Sequence, residues 1–181
     1  MSFAETYSRK IATYINNNLE ESSSVGVLSF ALTVVINYLL VSIAVLIICG
    51  LTDNLLLGLL GLFMSPLLRY FSGGIHFKSA TLCNIITSCM ILISIHVSYR
   101  YYNLGLVLTI VSCLILIVYA PQGITNLSKL PPKYYPVLKV IACIIVCSNL
   151  IFHSPLLANL FFLQSLTTLS ITQKMVDYFK L

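Results

Sequence analysis

Long apolar runs separated by short polar breaks organise this chain of 181 residues. Six runs stand out, at about 25–49, 54–68, 80–98, 104–120, 137–152 and 155–171. A bilayer core is about 30 Å thick and is crossed by a helix of about 20 apolar residues. Lipid offers no partner to an exposed peptide group, so the runs are predicted to be membrane-spanning helices. The breaks read as turns: Gly50-Leu51-Thr52-Asp53 after the first run, Tyr101-Tyr102-Asn103 between the third and fourth, and His153-Ser154-Pro155 as a tight hairpin between the last two. The pattern predicts an all-α integral membrane protein, with residues 1–181 forming a single membrane domain.

Two runs are unusual. Residues 54–68 number only 15, which as a helix is roughly 22 Å, and Pro66 is expected to weaken the last turn. The prediction is a short span that holds Arg69 and the following segment close to the inner leaflet. The run 155–171 opens at Pro155 and is rich in Thr, Ser and Gln, an odd content for a helix facing lipid.

Residues 1–22 carry a different pattern. Phe3, Tyr7, Ile11, Tyr14 and Ile15 recur at helical spacing, opposite Arg9, Lys10, Thr13 and Asn17. Ser2 and Glu5 stand at the spacing of a capping box. This predicts an amphipathic helix lying on the inner membrane face. Residues 1–24 are polar and the first apolar run exceeds a signal-peptide core, so no cleavable signal is expected.

Composition agrees with this picture. The chain is 59% hydrophobic and 8% charged, whereas soluble domains carry about 25% charged residues. The basic residues then orient it. With the N-terminus inside, the inner segments hold Arg9, Lys10, Arg69, Lys78, Lys129, Lys133, Lys139, Lys174 and Lys180, and the outer segments hold Arg100 alone. Such an asymmetry follows the positive-inside rule. It predicts a multi-pass protein of the cell membrane with both termini, the 69–80 segment and the 121–136 loop on the cytoplasmic side. No nucleic-acid partner is expected.

Six cysteines are present, at 49, 83, 89, 113, 143 and 147. Most lie within apolar runs, where cysteine behaves as a small hydrophobe. Cys143 and Cys147 are four apart on a predicted helix but have no histidine or acidic partner at ligand spacing, so no metal site is expected. His96 and His153 fall near the outer ends of their runs and read as interfacial.

The chemistry concentrates between Arg69 and Cys83, where two cations, two glycines, His76 and Cys83 share one membrane edge. A thiol is a good nucleophile only as thiolate and needs a base. On one continuous helix His76 and Cys83 would lie about 10 Å apart along the axis, too far for a transfer that wants about 3 Å. The helix must therefore break between them. Gly73-Gly74 supplies a breaker, and Ser79 is a predicted N-cap for the third span. Cys83 would then sit near a helix start, where the dipole favours thiolate, with Arg69 and Lys78 adding positive potential or holding a carboxylate. The competing reading makes His76 interfacial and Cys83 a packing residue. A carboxylate partner is absent between Asp53 and Asp177, so a dyad is favoured over a triad, with Asn84, Gln122 and Asn126 as amide candidates. In the 121–136 loop, Lys129 and Lys133 read either as ordinary positive-inside bias or as a docking surface for an acidic peptide tail.

The block Arg69-x3-Gly73-Gly74-x-His76-x6-Cys83 between two spans, with a polar N-terminal helix and a basic middle loop, resembles the accessory gene regulator B (AgrB) family over nearly the whole chain. These are bacterial membrane cysteine peptidases of peptide quorum sensing. The resemblance implies that His76 and Cys83 are the catalytic pair. It also implies that Arg69 and Gly74 have structural or substrate-orienting roles. One departure is that Lys129 and Lys133 are spaced where some relatives have a contiguous basic cluster. The implied substrate is an AgrD-like pro-peptide on the inner leaflet. Cys83 would remove its acidic C-terminal tail through a thioester, and ring closure would give a lactone or thiolactone autoinducing peptide. No metal, nucleotide or other cofactor is implied, and homodimers fit the family. The alternatives are a small transporter or export subunit and a non-catalytic membrane scaffold. Against the transporter, the runs contain no buried charge of the kind that marks a transport path.

Overall fold

The computed structural model describes residues 3–19, 23–75, 77, 79–123 and 131–178. Among these residues every extended element is helical, as the apolar pattern predicts. Helix α1 is Phe3–Asn18, α2 Val25–Leu51, α3 Leu55–Ser72 and α4 Ala80–His96. A π-helical turn at Tyr101–Gly105 runs directly into α5, Leu106–Tyr119. A 3-10 turn at Pro132–Tyr134 leads into α6, Tyr135–Cys147, followed by α7, Asn149–Phe152, α8, Pro155–Leu166, and α9, Ser170–Tyr178.

Four stretches are long and apolar enough to cross a membrane: Val25–Leu51, Leu55–Ser72, Tyr101–Tyr119 and Pro132–Phe152. Helix α4 is also apolar but shorter, at 17 residues. The last run is a bent pair, with a 66° angle between Pro155–Leu166 and Ser170–Val176. The protein is an all-α integral membrane protein.

Two predicted boundaries change. Tyr101-Tyr102-Asn103 is the first turn of a span rather than a break. The second run does not stop at 68: α3 continues through Pro66 to Ser72 for 18 residues, about 27 Å. The reason lies on α2. Proline has no N–H, so the carbonyl four residues earlier loses its helical donor. That carbonyl belongs to Leu62, and the Tyr38 hydroxyl donates to it at 3.3 Å. Neighbouring helices commonly supply groups that a proline frees in a membrane.

The run 155–171 is largely buried within the protein along α8. Helix α8 is 12 residues long and buried on nearly every side, packing against α3, α4 and α5. Phe161 and Leu160 fill the core together with Val45, Leu68, Ile91, Leu116 and Val146. A helix that is buried all round needs no polar face, and the polar side chains it does carry must find partners. Asn159 donates to the carbonyls of Ser94 and Val97 and accepts from the Tyr99 hydroxyl at 2.6 Å. Gln164 is bonded at the opposite end, as described below. The Ser, Thr and Gln content of this run thus belongs to a helix shielded by protein.

The N-terminal helix forms and packs along α2. Its buried seam is Ala4, Ser8 and Ala12, while Tyr7, Ile11 and Tyr14 are exposed. Small residues let the two backbones approach, and the larger stripe faces outward. Ser2 of the predicted capping box lies outside the described residues.

Helix ends sort into two groups. At one end, the His96 ring meets Thr52 at 3.3 Å, the Tyr99 hydroxyl meets Asn159, and the His153 ring lies 3.4 Å from the Tyr102 hydroxyl. The end of α3, the start of α4, the segment after α5 and the end of α8 converge at the other.

Candidate functional site

The site begins where α3 stops. Gly73 closes the helix with its N–H on the Arg69 carbonyl at 2.9 Å and has φ +69°. Gly74 follows at φ +147°. Both values favour glycine, and neither position has room for a side chain. A Cβ on Gly73 would land on the Gln122 carbonyl oxygen, and one on Gly74 would stand 2.7 Å from Thr167 Oγ1.

Several elements grip this turn. The Gln122 N–H donates to the Ser72 carbonyl and the Gly74 N–H donates to the Gln122 carbonyl, both at 3.0 Å, so the chain after α5 is clipped to it like a one-residue strand. The Gln164 side-chain amide donates to the Gly73 carbonyl at 2.9 Å and reaches the Ser72 hydroxyl at 3.4 Å. From α3 itself, Arg69 Nη2 donates to the Ile75 carbonyl at 2.6 Å. Residues 72–75 are buried. The backbone entering position 76 is therefore fixed on several sides.

Ser79 restarts the helix. Its hydroxyl accepts from the Leu82 N–H at 3.4 Å, the N-cap predicted from sequence. Cys83 is the fourth residue of α4, with its N–H on the Ser79 carbonyl at 3.1 Å and its side chain half-buried. Among the described residues, α3 ends at Ser72, positions 77 and 79 are not helical, and α4 begins at Ala80. The start of α4 directs its dipole's positive end toward the first turns, favouring an anion there.

Cys83 borders a partly open cavity of about 220 Å³ lined by one face each of α2, α3 and α4. Arg69 stands on its wall, and so do Asn84 and Asn37. Asn84 Nδ2 donates to Asn37 Oδ1 at 2.9 Å, so this amide candidate is engaged with α2.

The other predicted residues distribute as follows. His76, Lys78, Asn126 and Lys129 lie outside the described residues. Gln122 contributes through its backbone, as the clip on the glycine turn. Lys133 is exposed, with its ammonium 5.1 Å from the Tyr134 ring centroid. Cys89 is exposed and is not among the residues bordering the cavity. Cys143 and Cys147 face α5, where Cys113 brings its sulfur 3.6 Å from that of Cys147. His96 and His153 belong to the opposite end of the bundle.

Sequence reasoning missed Gln164, Thr167 and Asn37. The signal for Gln164 was present as a glutamine inside an apolar run, which must find a partner when buried. The identity of that partner, 91 positions earlier, is a tertiary fact.

The accessory gene regulator B family model matches residues 8–176. No curated protein and no solved structure matches the chain. The match spans α1 to α9 and includes the glycine turn, Cys83 and the gripping glutamine. The chain therefore belongs to the accessory gene regulator B family, whose work is the processing of quorum-sensing peptides at the membrane with an AgrD-like pro-peptide as partner.

Proposed function

We propose that this protein is a cysteine endopeptidase in which Cys83 is the nucleophile and His76 the base. The observation that carries the proposal is the chain break between Ser72 and Ala80. It puts the thiol in the opening turns of α4, and it falls in the stretch where the sequence carries the histidine. His76 takes the Cys83 proton, and the sulfur attacks the carbonyl carbon of the bond preceding the pro-peptide's C-terminal tail. The C–N bond breaks, and the proton passes from His76 to the departing amine. A thioester to Cys83 remains. A cysteine or serine of the same peptide then attacks this thioester, its proton goes to the sulfur by way of His76, and a thiolactone or lactone ring leaves the enzyme. Limited access of water favours ring closure over hydrolysis.

Arg69, Gly73 and Gly74 serve this chemistry by holding the approach to His76, and Lys78 adds positive charge beside it. Lys129 and Lys133 dock the acidic tail. The site faces the cytoplasm, with both termini on that side.

Reconstitution with the pro-peptide tests the proposal. Cys83→Ala and His76→Ala should each abolish tail release, while Cys89→Ala keeps it. Retained release by both site variants sinks the protease reading in favour of a transporter or scaffold. A peptide–Cys83 thioester, trapped and identified by mass spectrometry, is the positive signature. Labelling of Cys83 by an impermeant thiol reagent added only outside intact cells overturns the orientation.

A further inference from the structure

The cavity beside Cys83 has a composition of its own. Val34 and Val41 of α2, Leu62 and Pro66 of α3 and Ile91 of α4 make most of its wall apolar. Polar groups are few and placed. The Arg69 guanidinium is drawn to the Ile75 carbonyl. Asn37 uses its carbonyl oxygen to accept from Asn84, which leaves its amide N–H groups for a ligand along the same wall. Thr87 stands one helical turn beyond Cys83 on α4 and also lines the space. Neighbouring helical residues diverge by about 100°, yet both Cys83 and Asn84 border the cavity, so it lies between their two directions.

At about 30 Å³ per water in the liquid, 220 Å³ is room for one large side chain. It falls below the 300 Å³ or so at which pockets for drug-sized molecules begin.

We propose that this cavity receives the side chain of the substrate residue whose carbonyl Cys83 attacks, that it selects an uncharged apolar one, and that Asn37 hydrogen-bonds the adjoining peptide group. This rests on the proposed nucleophilic role of Cys83. Thr87 sets the depth of the cavity, and Asn37 is a positioning residue contributed by α2. A charged side chain entering here would have to shed water against a mostly apolar wall.

The test uses the full-length protein in proteoliposomes and three probes: the chloromethyl ketones of N-acetyl-leucine, N-acetyl-alanine and N-acetyl-aspartate. The cysteine sulfur displaces chloride, forming a thioether with loss of HCl, and mass spectrometry reads each site. Rates at Cys83 are divided by those at exposed Cys89 to remove differences in membrane partitioning. The leucine probe should label Cys83 about tenfold faster than the aspartate probe, a ratio typical of pocket discrimination. Thr87→Phe should bring the leucine rate down to the alanine rate while leaving labelling by iodoacetamide unchanged. Asn37→Ala should slow the leucine and alanine probes together without altering their ratio. Equal labelling by leucine and aspartate probes, the result expected if a lipid tail fills the cavity, overturns the proposal. So does a leucine preference that survives Thr87→Phe. Alkylation proceeds whether or not Cys83 is catalytic, so failure here is distinct from failure of the protease reading, which pro-peptide processing by Cys83→Ala would reveal.

Discussion

Gln164 donates its side-chain amide to the main-chain carbonyl of Gly73 across 91 positions of sequence, at 2.9 Å. The bond joins the most buried helix of the bundle to the turn that leads into position 76. A largely buried helix thereby sets the position of the turn after α3.

Replacing Gln164 by alanine should reveal this coupling. A buried bond whose partner is left behind costs about 1–3 kcal/mol. The expected result is a lower melting temperature in detergent and a larger loss of pro-peptide processing than stability alone explains. An unchanged processing rate in folded Gln164→Ala protein would show that the turn holds its place without α8.

The two turn glycines should tolerate no side chain. Gly73→Ala and Gly74→Ala place a Cβ against Gln122 and Thr167 at positive φ, and strained backbone of this kind costs roughly 1–3 kcal/mol. Gly50→Ala, where a Cβ meets only open space, is the matched control and should be neutral or slightly stabilising by up to about 1 kcal/mol. Thermal melts of the three variants decide the matter.

These glycines were legible in sequence because their function is local: a helix must end there, and glycine ends helices. The Ser79 N-cap was legible for the same reason. The continuation of α3 through Pro66 was not, because its cause is a hydroxyl on another helix. The character of α8 was half legible. Gln164 and Asn159 announced a run unsuited to lipid, but only the packing shows that protein surrounds it. The periodic stripe on α1 is visible in sequence, yet the face that packs on α2 is the inconspicuous one of Ala4, Ser8 and Ala12.

Tyr99 offers a pH handle at the other end of the bundle. Burial pushes its phenol above the ordinary value of 10.0, and neighbouring Tyr101 adds to the effect. The folded protein holds this proton more tightly than the unfolded chain does. The stabilisation is therefore fully present below about pH 10 and is lost as pH rises through the folded value. Melting temperatures between pH 8 and 11 should fall at the alkaline end, and Tyr99→Phe should flatten that fall while lowering the plateau, because Asn159 loses its donor.

Lys133 should act on binding rather than chemistry. Exposed ion pairs contribute about 0.2–1 kcal/mol, so Lys133→Ala should raise KM for the pro-peptide about two- to fivefold with kcat unchanged. Added salt should shrink the difference. A fall in kcat with constant KM would remove Lys133 from the docking surface.

The bond from Tyr38 to the Leu62 carbonyl also constrains how this sequence can change over time. Pro66 deprives α3 of a donor, and Tyr38 on α2 makes good the loss. The order of substitutions then matters. If Pro66 is replaced first, the backbone N–H returns and Tyr38 becomes free to vary; if Tyr38 is lost first, a buried carbonyl is left without its donor. The two positions form a one-way gate along the mutational path, although neither carries out any chemistry.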